Sequence, residues 1–215
     1  MLVGRLVYFF ENFGEENTDK VVEVALERAE EGDVKAIVVA SISGETAVTV
    51  AKRVKEKGLK VKVVCVSGPP SWEKYPEYEF PLIKEDTREE LSKLGVEIVD
   101  WVEEPFKPIT FRDWWEGKTI KMNRPESDLF WMTLICVGGH GFRTAVEVVF
   151  MAVEAEAIRV GERVIGVAGT GKGADSAIVM RASRFEDAVG PYSNKRLKIE
   201  EIIAMPKQTT WIGYA

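Results

Sequence analysis

Cysteine and histidine are scarce in this chain of 215 residues, which has two of the first and one of the second. Cys65 and Cys136 lie far apart in apolar runs and read as small buried hydrophobes. They rule against a disulfide scaffold. With the lone His140 they leave no metal-ligand spacing, so no zinc site is expected and no metal residue is assigned, while a carboxylate magnesium site stays open. Low cysteine usage fits a reducing, cytoplasmic compartment. A basic surplus is missing too: 29 Lys and Arg stand against 35 Asp and Glu, a formal charge of −6. Phosphate contacts need clustered cations, which argues against a nucleic-acid partner and against an anionic membrane surface. A small anionic ligand held by backbone amides stays open. No uncharged apolar stretch reaches the ~18 residues that span a bilayer. The opening segment, MLVGRLVYFFENFGEEN, has no small-residue cleavage site and reads as a first strand rather than a signal peptide. There is one glutamine, Gln208, and there are four asparagines, beside many Glu and Lys. That depletion of thermolabile amides is the hyperthermophile pattern.

What remains is the composition of a folded globular protein, 46% hydrophobic and 30% charged, read as one domain over residues 1–215. Gly4 to Phe10 is a β-prone first strand. Thr18 reads as the cap of a helix with Val21, Val22, Ala25 and Ala29 on one face, stopped by Gly32. Val34 to Ala40 reads as a strand whose run from Ala36 to Ala40 is continuously apolar, as in a strand buried on both faces. A polar turn, a helix through Ala47, Val50, Ala51 and Val54, and a strand over Lys60 to Val66 follow. This alternation with short links predicts βαβ units, hence an α/β fold with a largely parallel sheet. Ser67 to Pro81 carries four prolines and several aromatics and reads as an ordered excursion or lid. Asp86 and Glu89 resemble a capping box before a short helix ending at Gly95 and a strand over Val96 to Val99. Residues 100–126 read as irregular, with Trp101, Phe106, Phe111, Trp114 and Trp115. A helix from Ser127 to about Val137 should break at Gly138-Gly-His-Gly, before a long helix over Phe142 to Val160. A strand over Arg163 to Ala168, a helix near Ser176 to Arg184 and a last strand over Leu197 to Met205 complete the reading.

In an open parallel sheet, ligands bind outside the carboxyl ends of the strands. Four turns leave such ends: Glu11-Asn12, Ser41 to Thr46, Ser67-Gly68 and Gly169 to Asp175. In Ser41-Ile-Ser-Gly-Glu-Thr, free amides at a helix start and three hydroxyls suit a phosphate. Plain N-capping by Ser43 accounts for the same residues. Gly169-Thr-Gly-Lys-Gly-Ala-Asp offers three glycines for close backbone approach. Gly166, Gly171, Lys172 and Gly173 come near a nucleoside-triphosphate loop, with Gly173 where a magnesium-binding Ser or Thr belongs. Gly169, Gly171 and Ala174 match a dinucleotide fingerprint, without its acidic strand end about 20 residues on. A cradle for another phosphate or flat ring, and a tight turn with no ligand, both remain. His140 could act as an acid or base, or merely cap a helix, and no nucleophile–base pair is defined.

The run from Lys35 to Ala47, with its Ser41-Ile-Ser-Gly-Glu-Thr turn, resembles the C-terminal domain of pyruvate kinase. There an apolar strand enters a Ser-Gly turn that can hold a phosphate of a sugar-bisphosphate effector. With no catalytic barrel or B domain, the chain is similar over its whole length to the stand-alone, mainly archaeal proteins of that C-terminal-like group. The resemblance implies a three-layer α/β/α fold with a mostly parallel sheet and a last antiparallel strand, Leu197 to Met205. It also implies a flavin mononucleotide cofactor with its phosphate at Ser41, Ser43, Gly44, Glu45 and Thr46. The Gly169, Thr170, Gly171, Lys172, Gly173 and Asp175 loop would face it, flanked by Glu11, Asn12, Ser67 and Gly68. Glu45 adds negative charge there, which favours a monophosphate over a bisphosphate. Two functions follow as expectations: a flavin-binding protein, open to an oxidoreductase role, or a non-catalytic sensor of a small phosphorylated metabolite. A homo-oligomer is compatible with both.

Overall fold

The computed structural model describes residues 4–76, 78–101, 126–188 and 194–207. The expected irregular segment with Phe106, Phe111, Trp114 and Trp115 lies outside them. Seven strands form one mixed sheet: β1 (Tyr8–Phe10), β2 (Ala36–Ala40), β3 (Lys62–Val66), β4 (Glu97–Val99), β5 (Arg163–Ala168), β6 (Ser176–Arg181) and β7 (Lys198–Pro206). Their spatial order is β1-β7-β6-β5-β2-β3-β4. β2 pairs parallel with β3 and β5, β3 with β4, and β1 with β7, whereas β6 runs antiparallel to both its neighbours. Among the described residues, four α-helices cover the sheet: α1 (Thr18–Ala29), α2 (Glu45–Glu56), α3 (Glu85–Lys93) and α4 (Glu126–Glu154).

The central strands bury side chains on both faces, which explains their unbroken apolar runs. On one face Ile37, Val39 and Ile165 meet Val21, Val22 and Leu26 of α1, Val50 of α2 and Leu91 of α3. On the other, Val38, Val64, Ile178 and Met180 meet Val146, Val149, Phe150 and Val153 of α4. Gly166 makes the second layer close-fitting, since a Cβ there would lie 2.4 Å from the Ala145 carbonyl oxygen.

Ser176–Arg181 is a strand where a helix over Ser176 to Arg184 was expected. Ala177, Ile178, Val179 and Met180 are all fully buried, with alternate residues in the two cores, and the ladders to β5 and β7 satisfy the backbone. The reversed strand is β6, not the last one: β7 runs with β1 and the other parallel strands. Thr18 does not cap α1 with its side chain; its hydroxyl accepts a hydrogen bond from the Ala174 amide at 2.9 Å.

Near the middle of α4 the chain breaks at Gly139 (φ 81°, ψ −171°), within the expected glycine run. The two halves fold back on each other. Phe130 and Trp131 reach Phe150 at 6.3 and 6.0 Å between ring centroids, and Trp131 stacks on Phe185 at 5.5 Å. Residues Leu129–Glu154 are long and apolar enough to cross a membrane, yet 72% of their most apolar window is buried inside the protein, as in a core helix. Cys136 is exposed on the first half, contrary to its expected burial, while Cys65 is fully buried.

An ion-pair network closes the amino edge of the sheet. Arg28, 6% exposed, grips Asp33 and Glu201 with two hydrogen bonds each, 2.7–3.1 Å long. Arg163 joins Asp33 to Glu200, which also receives Arg181 and Lys198. Arg5 joins Glu31 to Glu201. The hydrogen bond from Arg28 holds the Asp33 carboxyl far below the usual range. Burial pushes Glu200 up, but hydrogen bonds from Arg163, Arg181 and Lys198 outweigh it and bring it down to about 2.

Candidate functional site

β1, β2, β3 and β5 point the same way, so the turns after them lie on one edge, as expected. Their spacing is uneven. β5, β2 and β3 are adjacent, which groups Gly169–Asp175, Ser41–Thr46 and Ser67-Gly68. β1 is three strands from β5, and there Glu11 pairs with Lys207 while the Asn12 carbonyl accepts from the Asn17 amide group. Glu11 and Asn12 are therefore not gathered with the rest. Gly14 and Glu15, two to four residues on, return to the group through Asp175 and Lys172.

The Ser41–Thr46 turn extends the β2–β3 ladder by one bond, from the Ser41 amide to the Val66 carbonyl. Ser41 and Ser67 are 6% and 5% exposed. Gly44 then precedes α2 in the left-handed region (φ 87°), and no side chain caps the helix, so the expected Ser43 cap is absent. Ser43 and Glu45 are exposed and Thr46 is half-buried. The first helical bond runs from the Val48 amide to the Gly44 carbonyl. The amides of Glu45, Thr46 and Ala47 have no hydrogen-bond partner among the described residues. Such a row, at the positive end of a helix dipole, is an anion-binding geometry. Gly44 is set by packing as well: a Cβ would lie 2.7 Å from the Thr87 methyl group and 3.2 Å from Leu91. Enlarging Gly44 would disturb α3 together with any ligand, so it is a poor probe of binding.

The Gly169–Asp175 segment is a hairpin loop between antiparallel strands, not a strand-to-helix turn. Neither the nucleoside-triphosphate nor the dinucleotide pattern can work without a following helix to supply its amides. The loop amide is moreover occupied. Asp175, fully buried, accepts from the Thr170 amide at 2.9 Å and the Gly14 amide at 3.2 Å, and from the Ser176 hydroxyl at 2.8 Å. Its carboxylate fills the position an anionic ligand would take. The glycines are explained by close approach: a Cβ at Gly169 would lie 2.4 Å from the Gly173 carbonyl oxygen, and one at Gly173 would lie 2.3 Å from the Thr18 hydroxyl.

Lys172 projects from this loop, largely exposed, and pairs with Glu15 at 2.9 Å. That hydrogen bond raises its pKa, and the charge of Glu45 adds to the effect, placing the ammonium within electrostatic reach of the α2 turn. The break in α4 docks on the same loop, the Gly141 amide donating to the Thr170 hydroxyl at 3.2 Å. His140, beside it, is 7% exposed. Burial, aided by the Arg143 charge, pulls its pKa down from 6.5 to about 4. The imidazole is therefore neutral at pH 7. Its native pKa lies below the unfolded one, so its contribution to stability is complete above about pH 6.5 and is lost as pH falls toward 4. The loss is on the order of 3 kcal/mol. Proton NMR of the single imidazole should show no titration between pH 7 and 5; a midpoint near 6.5 would refute its burial.

Sequence reasoning missed Gly14, Glu15 and Thr18, which tie the first loop to the hairpin. A buried acid directly after a glycine-rich loop was the available signal. No group of three or more His, Cys, Asp or Glu suited to a metal ion occurs among the described residues. A search against models of known protein families finds no match to this chain.

Proposed function

We propose that the chain binds a small phosphorylated ligand at the carboxyl edge of the sheet, with its phosphate on the amides of Glu45, Thr46 and Ala47. The uncapped start of α2 carries this reading. Ser41, Ser43 and Thr46 supply hydroxyls at the same turn, and Lys172 supplies a cation that leaves Glu15 to meet the phosphate. The ligand to test first is flavin mononucleotide. That choice rests on the resemblance of the Lys35–Ala47 run to pyruvate kinase C-terminal-like proteins, whose fold is the finer reading of this α/β sheet. The donor set suits a monophosphate, because the amides and Lys172 are opposed by Glu45. A bound flavin would supply hydride or electron transfer. The chain's own part is to hold the phosphate and wall the site with Ser67, Gly68 and the 169–175 loop.

A second reading, a non-catalytic sensor of a phosphorylated metabolite, is favoured by the state of the reactive side chains. Asp175 is saturated by three donors, His140 is buried and neutral, and burial pushes the Cys65 thiol up to about 12. The visible spectrum of the freshly purified protein, with mass identification of any released ligand, separates the two. Ser43→Asp tests the phosphate position. An acid at an exposed helix start suits the dipole and leaves folding intact, but repels an anion. Affinity should fall at least about tenfold at unchanged melting temperature; unchanged affinity would place the phosphate elsewhere.

A further inference from the structure

The two ends of the sheet are finished differently. On the β4 edge, Glu97 is exposed and paired with Lys62 at 2.6 Å, a charge that discourages pairing with another strand. On the β1 edge, the run Leu6-Val7-Tyr8-Phe9-Phe10 holds no charge and no proline. Its inner side pairs with β7, from Tyr8 opposite Ala204 to Phe10 opposite Pro206. Its outer side has no strand partner among the described residues. Tyr8 and Phe10 pack into the core, whereas Leu6 and Phe9 are 71% and 51% exposed. An apolar, unguarded edge of this kind is a template for another strand.

We propose that β1 is an interface between two copies of this chain, paired antiparallel across a two-fold axis so that the two sheets become one. The residue pattern selects a second copy over an unrelated strand. An isologous contact must be self-complementary. With the axis at Tyr8, Arg5 lies opposite the partner's Glu11, Leu6 opposite the partner's Phe10 and Val7 opposite the partner's Phe9. Charge meets opposite charge at both ends, and apolar side chains meet between them. Shifting the axis one residue either way breaks this match: centred on Phe9, it sets Val7 against the partner's Glu11, and centred on Val7, it sets Arg5 against the partner's Phe9. Arg5 and Glu11 are exposed, so each can keep its internal pair, with Glu31 and Lys207, while facing the partner.

Light scattering after size exclusion, over about 1–100 µM full-length chain, tests this. Twice the chain mass is expected. Phe9→Lys, and separately Glu11→Lys, which sets a lysine against the partner's Arg5, should each raise the dissociation constant at least tenfold with unchanged circular dichroism. Val137→Lys, on the exposed first half of α4, should leave the dimer intact. A monomeric wild-type chain overturns the proposal. So does a dimer indifferent to both β1 substitutions, or one that Val137→Lys dissociates.

Discussion

Replacing Asp175 with alanine is expected to cost about 3–5 kcal/mol of folding stability, a drop of about 10 °C in melting temperature. The carboxylate is buried without solvent contact, yet serves three donors from different parts of the chain: Thr170 and Ser176 in the hairpin and Gly14 in the loop before α1. Alanine leaves the Thr170 amide and the Ser176 hydroxyl buried without an acceptor, at about 1–3 kcal/mol each, and strips the half-buried Gly14 amide of its partner. The hole also opens against the break in α4, since a Cβ on Gly141 would stand 2.0 Å from the Asp175 carboxylate. Asp175→Asn should recover about half the loss, because one amide oxygen can still accept from Thr170 and Gly14. Urea unfolding followed by circular dichroism measures both. A loss below about 1 kcal/mol for the alanine variant would show that the carboxylate does not hold these segments together.

The second large effect is expected at Arg28. Arg28→Met should destabilise by about 3 kcal/mol, since it strips the more buried Glu201 of its bidentate partner and leaves Asp33 to Arg163. Arg5 also remains on Glu201, which keeps the cost below that of an isolated buried charge. Arg28→Lys should recover little, because an ammonium cannot reproduce the planar fork that serves two carboxylates. Asp33 and Glu200 titrate below their unfolded values, so the network stabilises fully above about pH 5. That contribution drains as pH falls through the native values, about 2 for Glu200. The wild-type protein should therefore lose stability in acid more steeply than Arg28→Met, as thermal scans at pH 3 and 7 would show. Equal slopes would mean that Asp33 owes its acidity to Arg163 rather than to Arg28, since Glu200 is held low by Arg163, Arg181 and Lys198 in both proteins.

The sheet was legible wherever burial on both faces left an unbroken apolar run, as in residues 36–40 and 164–168. The common edge followed from strand direction. β6 was misread for a physical reason. Ser-Ala-Ile-Val-Met-Arg has helix formers at Ala177 and Met180, and what makes it a strand is pairing with β5 and β7, which local propensity does not contain. The caps failed likewise. Thr18 and Ser43 occupy cap-like positions, but the Thr18 hydroxyl is taken by Ala174, 156 residues away, and the turn before α2 is shaped by Thr87 and Leu91 against Gly44. At the edge, the glycine spacing of 169–173 was visible, whereas the filling of that loop by Asp175 depends on Gly14, a contact across 161 residues.

The pairing of β1 with β7 governs the order in which this protein can be built. Tyr8 leaves the ribosome 196 residues ahead of its partner Ala204. β2, β3 and β4 meet with short or moderate separations and can assemble while the chain is still growing. β1 must wait for β7, so closure of the long loop between them is deferred until β7 has been made and slows completion of the sheet. A chain arrested before Lys198 would hold a partly formed sheet with the Leu6–Phe10 segment unpaired on both sides. That species, more than the finished protein, is the one that chaperones would have to shield.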